Sequence, residues 1–186
     1  MLLRRVAQAH LNLSQNRRSG EVYSDALALA RQVGNQAQVV SALNGLSWVS
    51  INLGNIETAI GHLQQASTIS REQRDRQSEA NIDYVLTAAW GFYNATDKMI
   101  RFATKAIHQL ENMGYDAFAL RPKMYIALAH MMRHEIDRAQ PIYEQLLAQL
   151  NVVTDLWLEG WVSQSLGRLF LLQRDLPRAQ QHLERA

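Results

Sequence analysis

SALNGLSWVSINLGNIETAIGHLQQA, residues 41–66, sets apolar and small side chains at helical spacing on both sides of a short break, Leu53-Gly54-Asn55. Two amphipathic stretches joined by a glycine-bearing turn predict a helical hairpin. The pattern recurs, because the sequence slid against itself by 40 residues aligns from end to end without a gap. One column reads Val6, Leu46, Leu86, Ile126, Leu166, and the next is small throughout: Ala7, Ser47, Thr87, Ala127, Gly167. Twelve residues on come Ser19, Ala59, Met99, Ala139, Ala179, then Tyr23, Leu63, Ala103, Tyr143, Leu183, and finally Ala26, Ala66, Ala106, Leu146, Ala186. Five columns at fixed offsets describe a repeated structure rather than chance.

A large aliphatic followed by a small residue lets the second helix approach the first closely, and the alanines facing it keep that approach tight. No single pair buries both its faces, so stability comes from stacking on neighbours. The expected fold is all-α: a right-handed superhelix of about five helical hairpins in one domain, with units near 1–34, 35–74, 75–114, 115–153 and 154–186.

Residues 41–66 resemble the tetratricopeptide repeat family. They carry its leucine and small residue on the first helix (Leu46, Ser47), its turn glycine (Gly54), and its alanine, bulky residue and alanine on the second (Ala59, Leu63, Ala66). The likeness covers essentially the whole chain. Forty residues per unit exceeds the usual 34 and is similar to the long variant in sensor arms of bacterial signalling proteins, such as relatives of the maltose-regulon activator, and in kinesin light chains. The aromatic usual four after the leucine is replaced in most units, the column reading His10, Ser50, Trp90, His130, Phe170.

The first unit begins inside its first helix, and the sequence stops midway through a second helix at Ala186. Ends without a polar cap expose apolar surface. Two expectations arise: a piece of a longer protein, or homodimerisation through the uncapped ends or the Met-rich face. Pro177, two after Asp175, makes a sound helix start. Pro122 and Pro141 fall inside predicted helices, so a kink or a delayed start is expected there, with Asp116 and Asp137 as caps.

The resemblance implies that the first helices line a concave groove. Register then names its contacts: Arg4, Asn44, Tyr84, Met124; Gln8, Trp48, Leu128, Arg168; and Asn52, Phe92, Met132. The first two units are rich in amides there, and the third and fourth turn aromatic and Met-rich. Amides donate to and accept from a peptide backbone, and aromatics and Met offer adaptable apolar contact. A protein or peptide segment is the expected partner, with a small-molecule effector as the alternative. Chaperone-binding members of the family clamp a C-terminal carboxylate with Lys, Asn and Arg. Here the matching places hold Arg4 and Gln8, then Gly45, then Asn81 and Val85, so that ligand is not expected.

Catalytic constellations are missing: the sequence has no GxxxxGK[ST], GxSxG or HExxH. The chain reads as a non-enzymatic interaction module without cofactor. His130 and His134, four apart, invite a metal, but they fall in the packing and turn columns and lack a third ligand. The net charge of +2, with both signs interspersed, argues against nucleic acid. MLLRRVAQAHLNL is broken by charge too early for a signal-peptide core, and no apolar run approaches a membrane span. With no cysteine, the composition suits a reducing compartment, and a soluble cytoplasmic protein, the arm of a bacterial regulator, is expected.

Overall fold

The computed structural model describes residues 2–150 and 152–186. Ten α-helices account for the described secondary structure: α1 Leu2–Asn12, α2 Asn16–Gln32, α3 Gln36–Asn52, α4 Ile56–Glu72, α5 Arg76–Phe92, α6 Thr96–Asn112, α7 Asp116–Met132, α8 Ile136–Leu150, α9 Leu156–Leu172 and α10 Leu176–Arg185. They form five helical pairs, as the 40-residue period requires. The structure adds a finer rhythm, because from α2 onward successive helices start 20 residues apart.

The connectors explain that rhythm. At positions 14, 34, 54, 74, 94, 114, 134 and 174 the backbone turns left-handed, with φ between 52° and 78°. The next residue's N–H reaches back five positions: Asn35 to Ala30 O, Asn55 to Ser50 O, Asp75 to Ser70 O, Glu135 to His130 O, Asp175 to Phe170 O. That is a Schellman closure, which satisfies carbonyls left over at the helix end. The same residue then starts the next helix. Asn35, Asp75, Asp155 and Asp175 each accept a hydrogen bond from the backbone N–H three residues on, the ordinary N-cap contact. Three residues thus end one helix and begin another. Glycine meets the left-handed requirement at 34, 54 and 114; elsewhere Ser14, Arg74, Asn94, His134 and Arg174 do so.

Of the two outcomes expected at the prolines, the delayed start does not occur. Neither helix starts late: α7 begins at Asp116 and α8 at Ile136, with Pro122 and Pro141 inside them. Asp116 and Asp137 lie in the first turns rather than at the caps, where their charge complements the helix dipole. Pro122 is buried, whereas Pro141 is exposed.

The chain forms two compact units, Met1–Tyr93 and Asn94–Ala186. In the first, α3 packs against α1, α2, α4 and α5, so the first helices α1, α3 and α5 make one layer. Ser19 Oγ donates to Ala7 O at 2.8 Å, so the two small-residue columns meet at hydrogen-bonding distance. Tyr23 lies flat on the backbone at Gly45, where an added Cβ would sit 2.3 Å from its ring. In the second unit, α7 packs against α6, α8 and α9, and α9 against α8 and α10. Its core gathers Leu120, Met124, Tyr143, Leu146, Leu166 and Phe170. No described helix is long and apolar enough to cross a membrane.

Candidate functional site

The exposed face of the α1–α3–α5 layer carries most of the groove residues read from sequence in the first unit. Gln8 is exposed; it accepts a hydrogen bond from Tyr23 Oη at 3.1 Å and donates to Asn12 at 3.0 Å. Asn52, also exposed, donates to Asn16 Oδ1 at 3.2 Å, bridging α3 to α2. Between these amides Trp48 is half-buried, with its ring 5.5 Å from that of Tyr84 and tilted by 55°. This tilted arrangement is a favoured aromatic pairing. Arg4 is exposed, and Phe92, at the end of α5, is 62% exposed.

Asn44 sits one helical turn before Trp48 and is only 7% exposed, yet its Oδ1 has no hydrogen-bond partner among the described residues. A buried carbonyl left unpaired costs about 1–3 kcal/mol. Here the acceptor lies in the layer that carries the aromatic pair. Burial pushes the Tyr23 phenol above its ordinary range, partly offset by the Arg4 charge. Tyr23 is therefore a neutral donor holding Gln8 in place.

The second unit treats its predicted residues differently. Met124 is completely buried among Leu120, Ala127 and Leu166 and fills the core; a ligand would reach it only after rearrangement. Leu128 and Met132 are half-buried, and Arg168 is exposed. Register places Met124 opposite Asn44 in the repeat, so one backbone position serves core packing in one unit and a polar layer in the other.

Asp83 escaped the sequence reading. It is 4% exposed on α5, next to Tyr84. Its column, Leu3, Leu43, Asp83, Lys123, Ser163, holds an acid where α3 buries a leucine, and that break in pattern was the available signal. The two histidines of residues 129–139 separate: His130 Nδ1 pairs with Glu135 Oε2 at 2.6 Å across the turn, while His134 occupies the left-handed turn position. His10 and Gln15 make the same cross-turn pair in the first hairpin at 2.7 Å. Among the described residues no group of three or more His, Cys, Asp or Glu is placed to hold a metal.

No family model matches the sequence, and no curated protein matches it. The likeness is structural. The apo form of RapI superposes with a TM-score of 0.74 at 11% identity, over 98% of this chain and 79% of that one. BtubC (BKLC) from P. vanneervenii gives 0.74 at 16% identity, over 96% and 74%. A putative kinesin light chain from Podosopora anserina, described as nearly identical TPR-like repeats, gives 0.67 at 14%, over 98% and 90%. The fold is TPR-like. At these identities the comparison carries the fold alone and does not select the maltose-regulon-activator type.

Proposed function

We propose that the protein is a non-enzymatic scaffold that holds a peptide segment of a partner protein against the α1–α3–α5 layer. The observation that carries this reading is Asn44, whose buried Oδ1 lacks a partner beside the Trp48–Tyr84 pair. Half-buried Trp48 receives an apolar side chain, exposed Gln8 and Asn52 bracket the contact with amide groups, and a peptide N–H reaches the enclosed Asn44 Oδ1 once the neighbouring side chains shift. Arg4 favours an acidic or carboxylate-bearing segment at that end. A regulatory arm of a larger cytoplasmic bacterial protein is the setting that best matches the long repeat unit.

A small-molecule effector is the second reading, and the cavity beside the α1–α3–α5 layer is small for one. The described cavity nearest the layer, at Leu3, Arg4, Ala30, Gln38 and Ala42, holds about 190 Å³, below the roughly 300–1,000 Å³ typical of ligand pockets.

Selection from a displayed random-peptide library tests the proposal. Enriched peptides should bind the Trp48→Ala protein at least about 30-fold more weakly, the loss expected when an aromatic anchor is truncated. Asn44→Ala should weaken binding by about tenfold, one buried hydrogen bond. Peptides that bind both variants as tightly as the parent would place the site elsewhere. A metabolite that raises the melting temperature, with no peptide enriched, would favour the effector reading.

A further inference from the structure

The N-terminal ends of α7 and α9 carry large apolar side chains where the repeat is otherwise polar or small. Tyr115 stands in the column of Asn35, Asp75 and Asp155, which cap their helices, and it makes no such side-chain hydrogen bond. Phe118 shares the register of Gln38 and Ser78, and Leu156 and Trp157 that of Gln36 and Ala37. All four are exposed: Tyr115 by 38%, Phe118 by 66%, Leu156 by 77% and Trp157 by 53%. Neither end of the chain is the cause. Gln36 and Ala37 are exposed as well, although α3 has α1 packed on one side and α5 on the other, so these positions face solvent in the interior of an array too. Nothing in the repeat requires them to be aromatic.

The side chains form one patch. Tyr115 and Phe118 meet edge to face with ring centroids 6.0 Å apart, and three residues on Arg121 lays its guanidinium over the Trp157 ring at 5.2 Å. Asp155 fixes that arrangement. Its Oδ1 caps α9 by accepting from Leu158 N at 3.1 Å, and its Oδ2 accepts from Arg121 Nε at 3.0 Å. The Trp157 ring is therefore held in place before any partner arrives, which lowers the ordering cost of docking. Trp, Tyr, Phe and Arg are also the residue types that concentrate at interface centres.

Charge and area point to what covers the patch. Arg121 is paired with Asp155, and Lys123 on the same helix is paired with Glu111 at 2.6 Å, so the patch offers no uncompensated positive charge to an acidic or phosphate-bearing partner. A two-fold axis sets a surface against its own copy, which a charged patch resists and an aromatic one with its cation already paired permits. Taking roughly 200 Å² for each side chain when bare, the four exposed residues present about 500 Å², the upper end of what a monomer shows. Ala117, exposed between Tyr115 and Phe118, and Val152, 88% exposed in the connector before α9, extend it. Paired on itself the patch buries about 1,200 Å², the threshold of a specific, stable interface.

We infer that two copies of the chain associate through this patch about a two-fold axis, with the Phe118 and Trp157 rings of each packed against those of the other. Such a contact is isologous and closes at the dimer. It uses neither Asn44 nor Trp48 and stands independently of the peptide reading.

Sedimentation equilibrium of the full 186-residue chain between roughly 1 µM and 1 mM tests it, the span in which an interface at this threshold becomes populated. The weight-average mass should rise from 21.2 kDa and level off at twice that value. Phe118→Glu and Trp157→Glu should each weaken the dimer at least about 30-fold, the loss expected when a central aromatic anchor is removed. Leu53→Gln, in a turn of the first unit, should leave it unchanged. Circular dichroism verifies that the variants fold as the parent does. Trp157→Lys should be monomeric alone, and mixing it with Trp157→Glu should restore a dimer, because the axis brings the two opposite charges into one contact. A chain monomeric at 1 mM overturns the inference and leaves the patch to a helix of another protein. A dimer that keeps its strength in both glutamate variants overturns it too, as does a mass that climbs past the dimer without levelling off.

Discussion

Residue 44 in the first unit and residue 124 in the second occupy the same place in the repeat, yet one is an asparagine with an unpaired buried carbonyl and the other a fully buried methionine. The helices around them have equal length, 17 residues in α3 and α7. The backbone is therefore common property, and the side chain at one position decides whether the layer is finished by packing or left able to accept a donor. A similar contrast holds on the neighbouring column. Tyr23 requires a glycine at 45, whereas the residue at that register in the second unit is Ser165, which carries a Cβ.

The largest effect should come from exchanging the first pair. Met124→Asn places a polar group in the closed core of the second unit and should cost about 3 kcal/mol in urea denaturation. Asn44→Met should instead be neutral or stabilise by up to about 1 kcal/mol, because it removes an unpaired acceptor, and should weaken peptide binding by about tenfold, as Asn44→Ala does. Equal losses from both exchanges would mean that the two positions are not the alternatives described.

Next in size, Gly45→Ala should cost about 1–3 kcal/mol by pressing on the Tyr23 ring. Ser165→Ala keeps a tolerated Cβ and should cost no more than about 1 kcal/mol, the hydrogen bond its hydroxyl gives Trp161 O. A silent Gly45→Ala would show that Tyr23 can move aside.

The turns offer a smaller test within both units. His134→Gly and Arg174→Gly should each stabilise by roughly 0.5–1 kcal/mol, since a left-handed backbone penalises a Cβ. Gly54→Ala should lose about 1 kcal/mol for the same reason. The opposite signs make thermal melts sufficient to check it.

The smallest effect concerns pH. His62 shares a column with Val22, Phe102 and Ile142, and burial, helped by the Arg31 charge, lowers its pKa below the ordinary 6.5. His182, in the same column, is lowered by burial and by Arg185. As pH falls through 6.5 the unfolded chain takes up the proton first, so stability is full above that value and declines below it. His62→Ile should flatten part of the decline between roughly pH 7 and pH 5, the window of imidazole titration, and His182→Ile the remainder. Unchanged pH profiles would show that neither ring is shielded enough to matter.

Much of this was legible in the residues. The column of Val6, Leu46, Leu86, Ile126 and Leu166 and the small column beside it announced close helix pairing, and Ser19 meets Ala7 as those columns require. Asn-rich and aromatic positions on α1, α3 and α5 were also readable, because register alone assigns a helix face. The bonding state of Asn44 was not, since an asparagine's partners come from other helices. Nor was the unbroken course of α7 and α8 through Pro122 and Pro141, because propensity reads a proline as a helix breaker from the lost hydrogen bond alone.

The sequence by itself determined an all-α array of hairpins, since each 40-residue unit sets its small and large side chains at helical spacing on both sides of a short turn. Only the tertiary structure decided which of those positions are closed and which stand open. Met124 disappears into a core while Asn44 keeps an unused acceptor, and Phe118 stands bare where Leu158, its register equivalent, is covered. Burial depends on what lies across a contact, and no single helix carries that information in its own residues.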